Sequence, residues 1–66
     1  MDLIINGEPQ QLPAPLSIAA LLEARDLAGK RVAVERNGEI VAKSRHAETL
    51  LATGDRIEIV VAVGGG

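Results

Sequence analysis

The chain predicts an α+β domain, a mixed sheet of four to five strands with one main helix packed on one face. Three observations carry that expectation. Two Asn-Gly pairs, Asn6-Gly7 and Asn37-Gly38, each follow a short apolar stretch, and both residues of such a pair accept the positive φ that a two-residue hairpin requires. Between them one segment has helical rather than alternating spacing, with Ile18, Leu21, Leu22 and Arg25 at i, i+3, i+4 and i+7. A final apolar run, Arg56 to Val63, is rich in β-branched residues. Two hairpins around a helix, closed by a last strand, give a mixed sheet covered on one side.

The first strand is Asp2-Leu3-Ile4-Ile5-Asn6, and its return lies around Gln10-Gln11-Leu12. Pro13 and Pro15 cannot donate to a ladder and end that return. Ser17 has the hydroxyl of a helix N-cap, and Leu16 and Leu21 stand at hydrophobic-staple spacing around it. The helix is expected to run about ten residues and to stop at Gly29, with Lys30 and Arg31 beyond. Val32-Ala33-Val34-Glu35-Arg36 then alternates into the second hairpin, and Ile40-Val41-Ala42 returns from it. Lys43-Ser44-Arg45-His46 is polar and predicts a loop. Residues 47–51 fit a helical turn or a brief strand equally well. Thr53-Gly54-Asp55 is a turn before the last strand.

Sixty-six residues make one small domain, near the lower limit for folding without staples. The chain has no cysteine and no aromatic residue, which removes disulfides, thiolate metal sites and a cysteine nucleophile. The core has to come from twenty Leu, Ile and Val residues helped by ten alanines. Each buried aliphatic side chain contributes roughly 1.5–3 kcal/mol. A net charge of −2 with interspersed signs nominates neither nucleic acid nor an anionic membrane. No apolar stretch is long enough to span a bilayer and no leader pattern is visible, so the expected location is the cytoplasm. No catalytic constellation appears either. His46 lacks a nucleophile partner and reads as a solvated loop residue. The glutamates, Lys30-Arg31 and Lys43-Ser44-Arg45 read as surface, helix-end and loop charge.

Gly64, Gly65 and Gly66 follow the last strand with no polar spacer. Fold stability does not call for them, because glycine loses the most freedom on ordering. Three such residues reach at most about 10 Å and pass a narrow channel without side chains. The group they deliver is a carboxylate. A frayed end or leftover linker is the ordinary explanation, and the abrupt junction with a strand counts against it. The expected division is therefore a domain over 1–63 and a flexible tail over 64–66. If Ile57, Ile59, Val61 and Val63 face the helix, Glu58, Val60 and Ala62 face away. Should the first and last strands be neighbours, Ile4, Val60 and Ala62 would form an apolar docking patch near the tail.

Thr53-Gly54-Asp55-Arg56-Ile57-Glu58-Ile59-Val60-Val61-Ala62-Val63-Gly64-Gly65-Gly66 resembles the C-terminal signature of the ThiS family, the sulfur carriers of thiamine biosynthesis. Val32 to Val41 is similar to that family's central hairpin, and Leu3 to Glu8 and the helix from Ser17 also fit, so the resemblance spans essentially the whole chain. Lys43 departs from it, standing where many relatives have proline after the return strand. The resemblance implies a β-grasp (ubiquitin-like) fold and a carrier rather than an enzyme. It implies a ThiF-like adenylyltransferase that uses ATP to convert the Gly66 carboxylate to an acyl-adenylate. Sulfur derived from cysteine through a desulfurase then displaces AMP, and the Gly66 thiocarboxylate donates sulfur to a ThiG-like thiazole synthase. On this account Gly66 bears the cargo, Gly64 and Gly65 thread the partner's active site, and Ile4, Val60 and Ala62 dock. The chain itself would bind no cofactor and no metal. Sulfur delivery to molybdopterin, conjugation through Gly66 to lysines of other proteins, and a binding-only module are the alternatives.

Overall fold

Asn6 and Asn37 take φ of 51° and 53°, and the glycines after them 81° and 85°, which makes both pairs tight hairpin turns of the kind their sequence predicts. The computed structural model describes residues 1–62. In it, strands β1 (Asp2–Ile5) and β2 (Glu8–Gln11) precede helix α1 (Ile18–Ala24). They are followed by β3 (Val32–Arg36), β4 (Glu39–Val41), a 3₁₀ turn over Lys43–Arg45 and β5 (Arg56–Val61). The five strands form one sheet in the order β2-β1-β5-β3-β4. Pairing is antiparallel except between β1 and β5, which run parallel with Ile4 beside Arg56 and Ile5 beside Ile57. The last strand to be made thus lies in the middle of the sheet.

The core comprises Leu3, Ile5, Ile18, Leu21, Leu22, Val34, Leu51, Ile57 and Ile59. It draws the helical stripe and one face of β1, β3 and β5, as period-2 and period-3.6 spacing require. Ile57 and Ile59 face inward as expected, but Val61 is 41% exposed. Val61 lies opposite Val32, which packs against the core from its edge, so Val61 stands past the rim. Val63 lies outside the described residues.

The helix departs from expectation in length. It has seven residues and stops at Ala24, well before Gly29. Asp26 takes φ of 60°, its amide donates to the Glu23 carbonyl, and the Leu27 amide reaches back to Leu22 at 2.8 Å. That pair of bonds is a Schellman closure with aspartate in the left-handed position that glycine usually holds. Gly29, at φ of 81°, serves a later turn in which Lys30 bonds the Leu27 carbonyl.

At its start, the amides of Ile18, Ala19 and Ala20 have no partner within α1's own turns. Ser17 Oγ accepts from Ala20 at 3.0 Å, and the Ser17 carbonyl accepts from Leu21. The other two donors, Ile18 and Ala19, bond the carbonyls of Thr49 and His46, both at 3.0 Å. Residues 47–51 are therefore neither helix nor strand. They form a turn that caps α1, with a single bridge between Leu50 and Ser17. His46, expected to be solvated, is only 6% exposed. Its Nε2 lies 3.0 Å from the Val41 carbonyl, a contact that holds the polar segment down and draws the ring under it.

Candidate functional site: the end of the central strand

Strand β5 has β3 beside it along its whole length, from Arg36 opposite Ile57 to Val32 opposite Val61. On its other side β1 pairs only at Arg56 and Ile57. Asn6 extends that side a little: its amide donates to the Ile57 carbonyl at 2.8 Å, and its Oδ1 accepts from Ile59 at 2.7 Å. Past Ile59 the β1 side of β5 has no neighbouring strand among the described residues. The chain leaves the sheet through Ala62, whose amide bonds the Arg31 carbonyl at 2.9 Å. Gly64, Gly65 and Gly66 lie outside the described residues.

The strand order brings β1 and β5 together, yet the register keeps the expected patch apart. Ile4 stands level with Arg56, four residues before Val60, or about 13 Å at the rise of a strand. Ile4 lines a hollow with Pro9, Gln11 and Gly54. Val60, 60% exposed, and Ala62 line a different one, of about 310 Å³, together with Val32, Ala33, Lys30, Arg31 and Lys43. So Val60 and Ala62 stand together at the exit and Ile4 does not join them. The sequence treated Lys30-Arg31 and Lys43 as unrelated charge. Only the β3–β4 and β3–β5 pairings bring them to one place, and no local signal announces that.

The turn before β5 is fixed electrostatically. Asp55 is 6% exposed and accepts from the Ala52 amide at 2.8 Å, Arg36 Nε at 2.9 Å and Asn37 Nδ2 at 3.1 Å. Burial pushes its carboxyl up. The bonds from Ala52, Asn37 and Arg36 and the Arg36 charge outweigh that push, so its pKa lies below the ordinary carboxyl value. This anchor sets where β5 starts, and hence where it ends. Among the described residues no group of three or more His, Asp or Glu side chains is placed to hold a metal ion, and no helix is long and apolar enough to cross a membrane.

The family model for the ThiS family matches residues 3–66, which takes in the whole fold and the glycine run. This chain belongs to the ThiS family. A solved structure of the ThiS thiamine biosynthesis protein from Geobacter metallireducens is 33% identical, each chain covers the other completely, and the TM-score is 0.83. That likeness makes the sheet and its single helix the β-grasp arrangement of ThiS. The Bacillus subtilis sulfur carrier protein ThiS is 50% identical over 50 residues, 76% of each chain. A thiazole synthase from Paramagnetospirillum magneticum is 46% identical over all 66 residues, but the chain spans only 20% of that relative's length. A second thiazole synthase, from Magnetococcus marinus, is matched over the same 20%. ThiS-like sequence thus occurs both as a small protein and as a fifth of a longer one.

Proposed function

We propose that this chain is a sulfur carrier of thiazole biosynthesis, working through the main-chain carboxylate of Gly66. The observation that carries the reading is the ThiS family match running unbroken through Gly64, Gly65 and Gly66. A carboxylate is a poor acyl donor, because its leaving group would be oxide. A ThiF-like adenylyltransferase removes that obstacle: a Gly66 oxygen attacks the α-phosphorus of ATP, pyrophosphate departs, and an acyl-adenylate remains. A desulfurase draws sulfur from cysteine as a persulfide, leaving alanine. The persulfide's outer sulfur forms the C–S bond as AMP leaves. A thiol reductant then cleaves the resulting acyl disulfide, itself becoming a disulfide, to release the thiocarboxylate. The resulting thiocarboxylate is the nucleophile that a thiazole synthase consumes. The carrier supplies the acyl group and its partners supply the catalytic groups and ATP. Gly64 and Gly65 contribute slimness, since a Cβ at either would narrow the passage to the partner's reaction centre. Val60 and Ala62, at the exit, contribute docking surface, and Ile4 would act only as a separate, more distant contact.

Intact mass after incubation with the adenylyltransferase, ATP and a sulfur source tests this. The expected product carries sulfur in place of one oxygen at Gly66, and the chain lacking Gly66 stays unloaded while melting as the full chain does. Loading of the shortened chain, or no mass change in the full one, would refute the proposal. Adducts on lysines of other proteins would assign the chain to protein modification instead.

A further inference from the structure

Charge on the open face of the sheet is sorted along β5. At the exit, Lys30, Arg31 and Lys43 gather around the hollow that Val60 and Ala62 line. None of the three forms an ion pair among the described residues, where the salt bridges are Arg36–Asp55 and Arg45–Glu48. Two positions back along the strand, Glu58 lies directly opposite Glu35 of β3. Like charges facing each other across a ladder destabilise it, and neither glutamate meets a cation within ion-pair distance among the described residues. Isolated, either feature would be ordinary surface. Together they place a positive end, an apolar hollow and a negative step in one line, ending where the tail leaves. The step from Val60 to Glu58 is about 7 Å, within the Debye length of about 8–10 Å at physiological salt. A partner seated on this face therefore meets both signs at a range where salt screens them only in part.

We infer that this surface is the docking face for the tail-activating adenylyltransferase and that its charge order sets the orientation of approach. The matching face would bear carboxylates beside the mouth that admits the tail, an apolar side chain for the hollow, and a basic side chain opposite Glu35 and Glu58. A partner docked the wrong way round would set cation against cation at the exit, and such juxtapositions suppress wrong encounters while matched ones speed right ones. The adenylyltransferase is the partner that fits best. Relatives named thiazole synthase already carry a domain like this one within their own chain, so contact with that activity needs no capture from solution there. An activating enzyme must be met by diffusion in either case, and steering acts on diffusion. This inference rests on the sulfur-carrier reading.

The test measures binding of the full chain to the adenylyltransferase of the same organism by calorimetry, from roughly 50 to 300 mM salt. Arg31→Glu with Lys43→Glu should weaken binding about tenfold or more at the low end and flatten its salt dependence. Glu58→Lys should weaken it as well, since it meets a partner cation. Arg31→Gln with Lys43→Gln should fall between wild type and the reversal. The Arg31 and Lys43 variants should keep the wild-type melting curve because these side chains are exposed, whereas Glu58→Lys should melt no lower than wild type because it sets an opposite charge across from Glu35. Unchanged affinity and salt slope in the double reversal would overturn the inference, as would tighter binding by Glu58→Lys. Sedimentation of the wild type as a dimer that the reversal dissociates would make a second copy the occupant, and would overturn it too. Wild-type loading, read by mass in the same samples, separates the two failures. Loaded wild type with indifferent variants defeats only the docking face, whereas wild type that is never loaded defeats the carrier reading on which it stands.

Discussion

Asp55 gathers three donors from two parts of the chain: Ala52 beside it, and Arg36 and Asn37 from the β3 end of the second hairpin. Asn37 answers by accepting from the Arg56 amide at 2.9 Å. Asp55→Asn should lower stability at neutral pH by about 1–3 kcal/mol, the scale for losing charge-assisted bonds to partly buried donors. Because the folded-state pKa of Asp55 is depressed, its ionised form contributes fully above the unfolded value of about 3.9. That contribution fades as pH falls from there through the folded-state value. Melting temperatures of wild type and Asp55→Asn should therefore be well separated near neutrality and converge below about pH 4. A constant gap would show that the bonds matter and the charge does not. The sequence marked Asp55 as a turn residue and no more. Its partners stand 18 and 19 residues away, and a distance of that kind leaves no periodic trace. His46 was hidden for the same reason, being buried through a contact with the carbonyl of Val41 rather than through any apolar spacing of its own.

Among the elements, whatever rests on local chemistry was legible. Both hairpins, the Ser17 cap and the Ile18, Leu21 and Leu22 stripe are where turn residues and periodicity put them. What depended on distant partners was not. Residues 47–51 have no strong propensity because they form a turn whose Thr49 carbonyl, together with that of His46 before it, caps the start of α1. The end of α1 was missed because aspartate, not glycine, occupies the left-handed closing position at Asp26. That choice leaves room for improvement. A non-glycine residue there costs about 1–2 kcal/mol, against about 0.5–1 kcal/mol of extra freedom that glycine brings to the unfolded chain. Asp26→Gly should then raise stability by about 0.5 kcal/mol, visible as a shifted urea midpoint with an unchanged slope. A loss of stability would show that the Asp26 side chain contributes something its backbone does not.

Over the whole molecule, two hairpins and a lone final strand implied a mixed sheet with one helix on it, but neither the strand order nor the register was legible. A pairing shift changes no residue's propensity while moving neighbours by several ångströms. That is why Val60 and Ala62 proved to be adjacent at the exit and Ile4 proved to be elsewhere. The same register decides what happens when the tail is gripped. Beside β5, β1 runs parallel and β3 antiparallel, and the start of β1 lies at the far end of the molecule's central strand from Ala62. Traction between Met1 and Gly66 therefore slides two ladders lengthwise, so their bonds share the load instead of parting one after another. Drawn apart by those ends in an optical trap, the domain should resist and then yield in a single rupture, whereas pulling from Arg31 and Gly66, which loads the β3–β5 ladder from its Val32–Val61 end, should peel it open at lower force. A domain built this way can be pulled repeatedly by its C-terminal end and stay whole.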